Sequence, residues 1–147
     1  MKKYLLFFAV CLLLAAPVFS QTAAELEQLL AADSVTYEQA AWLVLRAADV
    51  YASSPAGAFS HAAGQKWLPS GAAANDGAAL GGLSLLVMRS FDLKGGLFYS
   101  IVKNSHYAYR ELVHKGIIHG RADPDMDVSG DLLLYIVGRA LAITENN

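Results

Sequence analysis

Apolar residues recur along this chain at helical spacing in three separate stretches, each beside an arginine. The stretches are Ala40–Arg46, Leu83–Arg89 and Leu133–Arg139. Sliding the first by 43 residues and the second by 50 brings Ala40/Leu83/Leu133, Leu43/Leu86/Ile136, Val44/Val87/Val137, Ala47/Ser90/Ala140 and Val50/Leu93/Ile143 into register. These columns fall at i, i+3, i+4, i+7 and i+10, one continuous stripe on a helix of 3.6 residues per turn. One such helix cannot bury its stripe alone, whereas three related units packed together bury all three.

Punctuation between the stripes predicts the remaining elements. Thr22–Leu30 is rich in helix formers, with Leu26, Leu29 and Leu30 on one face. Thr36 is an N-cap for a helix running to about Tyr51, and Ser53-Ser54-Pro55 is its stop. Ala56–Ala79 offers only Trp67 and Leu68 as bulky anchors and reads as a weak helix plus a loop. The second striped helix, near Ala78–Asp92, contains Gly81-Gly82, each costing about 1 kcal/mol relative to alanine unless a neighbour packs closely there. Lys94-Gly95-Gly96 stops it, and Leu97–Lys115 reads as one helix capped by Gly116. The third striped helix spans Ser129–Thr144, with Ile117-Ile118 an apolar plug in the preceding turn. The expected fold is all-α, with three degenerate helix-loop-helix repeats (22–51, 57–93 and 97–144) in one domain over 21–147.

The first twenty residues read differently. Lys2-Lys3, the apolar run Tyr4–Ala16 and the small residues around Pro17-Val18-Phe19-Ser20 form the pattern of a cleaved signal peptide, 1–20. The run is too short to cross a hydrocarbon core of about 30 Å. Cys11 raises a lipoprotein alternative, but Val10 is bulkier than lipoprotein processing prefers. Cleavage leaves a chain without cysteine, so packing alone must hold it. It also removes two of the 11 basic and none of the 13 acidic residues, which takes the net charge from −2 to −4. No basic block survives, so neither nucleic acid nor charge-driven lipid binding is expected, and the mature chain is not expected to insert in a membrane. The expected location is outside the inner membrane, in the periplasm or on the cell surface.

Between the last two helices stand Ala108, Leu112, Gly116-Ile117-Ile118-His119-Gly120, Asp123 and Val128-Ser129, followed by Leu133 to Leu141 with Arg139. This resembles the S-layer homology repeat: an Ala-Ile pair, Leu, Gly-Ile-Ile-x-Gly, an acidic turn, Val-Thr-Arg-Ala-Glu and a closing Leu-Val-Arg-Ala-Leu. The third copy follows the pattern from about Tyr107 to Ile143. The first keeps only Thr36–Val50, and the second has Lys66-Trp67-Leu68 for Gly-Ile-Ile and Ala79 for the capping Thr. The resemblance implies a pseudo-threefold helical domain in the bacterial envelope whose grooves hold an anionic wall polysaccharide through the Arg and Glu of Thr-Arg-Ala-Glu. Here the Arg positions are Tyr37, Leu80 and Gly130, and the Glu positions are Gln39, Gly82 and Leu132, none of which supplies a forked cationic donor.

Other chemistry is sparse. Asp123–Asp131 alternates carboxylates, but Val128 stands where a calcium loop needs glycine and Leu134 where it needs glutamate. His61, His106, His114 and His119 have no zinc spacing, and Ser60-His61 and Ser105-His106 are adjacent, which points the side chains apart on a helix. No metal, cofactor or catalytic set is therefore expected. Tyr99, Tyr107, Tyr109 and Trp67 are either core or a stacking surface for sugar rings. The sequence reading is an exported, non-enzymatic envelope module whose candidate binding residues are Gly116, Gly120, Arg121, Ser129, Trp67 and Tyr107. Its partner is a wall polymer such as peptidoglycan or another carbohydrate. The alternative is a structural or protein-interaction module that kept the scaffold and lost the glycan.

Overall fold

Thr36 opens the first striped helix with reciprocal caps. Its hydroxyl accepts from the Gln39 N–H at 3.2 Å, and the Gln39 side chain accepts from the Thr36 N–H at 2.9 Å. The computed structural model describes residues 23–120 and 122–146, all in helices and connecting turns. Helix α1 covers 23–30, followed by α2 (Tyr37–Ala47), α3 (Pro55–Gly64), α4 (Leu80–Ser90), α5 (Leu97–Ile101), α6 (Ser105–His114) and α7 (Gly130–Glu145). The striped helices α2, α4 and α7 thus begin at positions separated by the same 43 and 50 residues that align their apolar columns. Among the described residues two isolated bridges occur and no strand.

The residue two before each striped helix joins a closed ring. Val35 N–H donates to Val128 O at 2.9 Å, Val128 N–H to Ala78 O at 2.9 Å, and Ala78 N–H to Val35 O at 2.8 Å. All three residues are fully buried, so the ring satisfies backbone groups that have no water to turn to. Helix starts are satisfied by the same neighbours. Tyr37 and Glu38 donate to Asp76 O and Ala74 O, Leu80 and Gly81 to Met126 O and Pro124 O, and Gly130 to Ala32 O. The N-terminus of each striped helix is therefore occupied by carbonyls of another segment.

The stripes face one core. Ala40, Leu83, Leu133, Val44, Val87, Leu86 and Ile136 are fully or almost fully buried, and Leu43 packs against them half-buried. Helix α2 packs on α3, α4 and α7, and α4 packs chiefly on α6, so α2 leans on the next helix in the chain and α4 on the next but one. The glycine pair of α4 marks the expected close approach. A Cβ on Gly81 would lie 3.2 Å from Pro124 O, and one on Gly82 would overlap the Tyr37 hydroxyl. Helices α2 and α4 also end alike. Asp49 and Asp92 adopt left-handed backbone (φ 56° and 49°), letting Val50 N–H reach Leu45 O and Leu93 N–H reach Met88 O.

Several boundaries depart from the sequence reading. The helix from Thr36 stops at Ala47, and Ser53-Ser54-Pro55 begins α3 instead of ending α2: the Ser54 hydroxyl accepts from Gly57 N–H at 3.0 Å and Pro55 takes the first helical position. The single helix expected over Leu97–Lys115 is two, because Asn104 in extended backbone caps α6 through Tyr107 N–H. Ser129 precedes α7 without capping it; its hydroxyl donates to Asp131 instead. The signal-peptide assignment of 1–20 lies outside the described residues. No helix among the described residues is long and apolar enough to cross a membrane.

Candidate functional site

Two surface depressions form beside equivalent loops. The first, about 590 Å³ and open to solvent, lies between the loop after α3 and the start of α6, with Lys66 and Lys103 in its walls. Leu68 and Leu85 give it an apolar floor, and Ser70, Asn104 and Ser105 supply polar groups. The second, about 550 Å³, is bounded by Tyr109, Arg110, Val113, His114, Gly120 and Ala122. Shifting Ala63, Ser70 and Ala72 of the first by 50 residues gives Val113, Gly120 and Ala122 of the second. The two concavities thus share three lining positions at that offset, and the first alone is closed by a second segment, Lys103–Ser105.

The loops that shape them fold alike for a local reason. Gly116 takes a left-handed backbone (φ 69°), after which Ile117 N–H reaches Leu112 O at 2.9 Å and Ile117 and Ile118 sink into the core. In the earlier loop Lys66 adopts φ 57°, Trp67 N–H reaches Ala62 O at 2.8 Å, and Leu68 is buried. Left-handed backbone costs a residue with a Cβ about 1–2 kcal/mol, which glycine avoids. Lys66 bears that strain at the edge of the cleft, and neither it nor Lys103 has an ion-pair partner among the described residues.

The residues singled out from the sequence are dispersed. Gly120 (φ 81°) lines the second depression, whereas the Gly116 carbonyl is taken by Arg139 Nη2 at 3.0 Å. Ser129 is engaged with Asp131, whose carboxyl is lowered below its ordinary value first by that hydroxyl and then by the Leu132 N–H. Trp67 meets His61 edge-on at 5.4 Å, and Tyr107 stacks on Phe98 at 6.0 Å. Neither aromatic lines either depression. Arg121 lies outside the described residues. Of the remaining aromatics, Tyr109 donates to Ala122 O and Tyr99 is core. Burial raises the pKa of both Tyr37 and Tyr99.

The positions that the resemblance assigns to Arg and Glu are closed off. Tyr37 and Leu80 are buried, and at Gly130 any side chain would run into the Leu29 carbonyl. Gln39 is spent on the Thr36 cap, Gly82 abuts Tyr37, and Leu132 packs against the core. What the sequence missed is the Lys66–Lys103 cleft, whose only trace was Lys66 standing 50 residues before Gly116. Among the described residues no group of three or more His, Cys, Asp or Glu is placed to hold a metal. Comparison with protein-family models, curated proteins and solved structures returns no match.

Proposed function

We propose that this chain is a non-catalytic module of the bacterial envelope, exported to the periplasm or cell surface, that holds an anionic wall carbohydrate in the Lys66–Lys103 cleft. In this reading the chain is three degenerate copies of one helical unit about a pseudo-threefold axis. The backbone ring of Val35, Ala78 and Val128, and helix starts offset by the same 43 and 50 residues as the apolar columns, support that symmetry. The observation that carries the binding reading is the pair of lysines in one cleft, without ion-pair partners among the described residues, with an apolar floor and a polar rim. A sugar ring lays its C–H face on Leu68 and Leu85, its hydroxyls on Ser70, Asn104 and Ser105, and its carboxylate or phosphate between the ammonium groups.

Retention on purified sacculi tests this. Replacing both lysines (Lys66→Gln with Lys103→Gln) lowers retention by at least about tenfold, the scale of one charge-assisted hydrogen bond. No retention of the unaltered chain at low salt rejects the proposal. Closure of the Arg and Glu positions favours a second reading, an interaction module without glycan. A salt-insensitive complex with an envelope protein, unaffected by the lysine changes, is its signature.

A further inference from the structure

Among the described residues, helix α5 carries the densest exposed apolar surface. Leu97, Phe98 and Ile101 are 72, 67 and 72% exposed, and Val102, next in sequence, is 46% exposed. Beneath them Tyr99 is buried, with its ring packed so close to Gly95 that a Cβ there would come within 2.5 Å, while Phe98 stacks on Tyr107 with the rings 11° from parallel. The tip is therefore braced from below, with its greasy side chains presented outward. A monomeric protein rarely leaves such a cluster bare without a use.

We infer that this tip seats the chain on an anionic phospholipid surface, with Leu97, Phe98, Ile101 and Val102 dipping into the acyl boundary and Lys94 and Lys103 at the headgroups. Charge decides the occupant. The protein is acidic overall, yet both charged residues between Leu93 and Asn104 are lysines, exposed and without ion-pair partners among the described residues. Asp92 and Glu111 act on the Tyr99 hydroxyl at the base of the tip, where Arg89 opposes them. Size decides against a second copy, since four side chains fall well short of the roughly 800 Å² per partner that a stable protein interface buries. A bilayer needs no such area: apolar anchors flanked by cations suffice for reversible binding. The inference is independent of the carbohydrate reading, although Lys103 stands at the border of both surfaces.

The test places an environment-sensitive fluorophore at Ser100→Cys in the full chain carrying Cys11→Ser, with Ser53→Cys as the control position. Phosphatidylcholine vesicles containing phosphatidylglycerol blue-shift the probe at 100 and leave that at 53 unchanged. Changing Leu97, Phe98 and Ile101 together to serine lowers partitioning at least tenfold and leaves sacculus retention as it was. Lys94→Gln lowers it about fivefold. Comparing variants within one chain cancels any binding by the apolar run at Tyr4–Ala16. A probe at 100 that stays in water while the chain sediments with vesicles overturns the inference. So does equal partitioning to vesicles of phosphatidylcholine alone, or a blue shift that follows protein concentration without lipid.

Discussion

Gly130 and Leu29 approach so closely that a single methyl group on the glycine would fall on the leucine's carbonyl oxygen. The contact fastens the end of α1 to the start of α7, where Gly130 N–H also donates to Ala32 O. Backbone on the receiving side cannot rotate away as a side chain can. Gly130→Ala is expected to cost about 2–3 kcal/mol through overpacking. Gly138, in the middle of the same helix, faces open space where a Cβ would stand, and Gly138→Ala should stabilise by about 0.5–1 kcal/mol. Urea denaturation of the two variants measures the contrast, and equal effects would contradict the packing of α1 on α7.

Tyr99 contributes its ring to the core but finds no partner for its hydroxyl among the described residues. An unsatisfied buried hydroxyl carries a desolvation penalty with no compensating bond. Tyr99→Phe is therefore expected to raise stability by about 1 kcal/mol. A loss of stability on denaturation would reveal a bond that this structure does not contain.

Asp131 offers a pH signature. Its carboxyl is held below the ordinary 3.8 by the Ser129 hydroxyl, so the folded state favours the ionised form. The resulting stabilisation is present above pH 3.8 and disappears as the pH falls through the lowered folded value. Carbon NMR titration of Ser129→Ala should show the Asp131 carboxyl moving back up; an unmoved titration would assign the shift to the backbone N–H groups.

Lys66 sets stability against binding. In Lys66→Gly the left-handed backbone becomes free of strain, so thermal denaturation should show a gain of about 1 kcal/mol. The same change removes one wall charge of the cleft, so sacculus retention should fall. Retention unchanged in a stabilised variant would remove the cleft from the proposed function.

The striped helices were legible because stripe and punctuation agree. Thr36 is a strong cap, the apolar columns repeat, and α2, α4 and α7 begin at one shared offset pattern. Gly116 and Gly120 were legible because their residue type foretells positive φ. The break at 102–104 was not, since Asn104 sits inside a run whose apolar spacing suits one continuous helix. Ser54-Pro55 was misread because serine and proline both end one element and begin the next. The cleft was invisible for a different reason. Its walls come from residues near 66 and near 103, and no local periodicity ties the two together.

The ring of Val35, Ala78 and Val128 also bears on the order of folding. Its members stand 43 and 50 residues apart, so none of its three bonds is local, and Val35 N–H and Ala78 O lack the partners that Val128 brings until the segment around Val128 docks. The interior therefore seals in one late step that joins three distant stretches at once, and a disturbance at any one of them is felt by the other two.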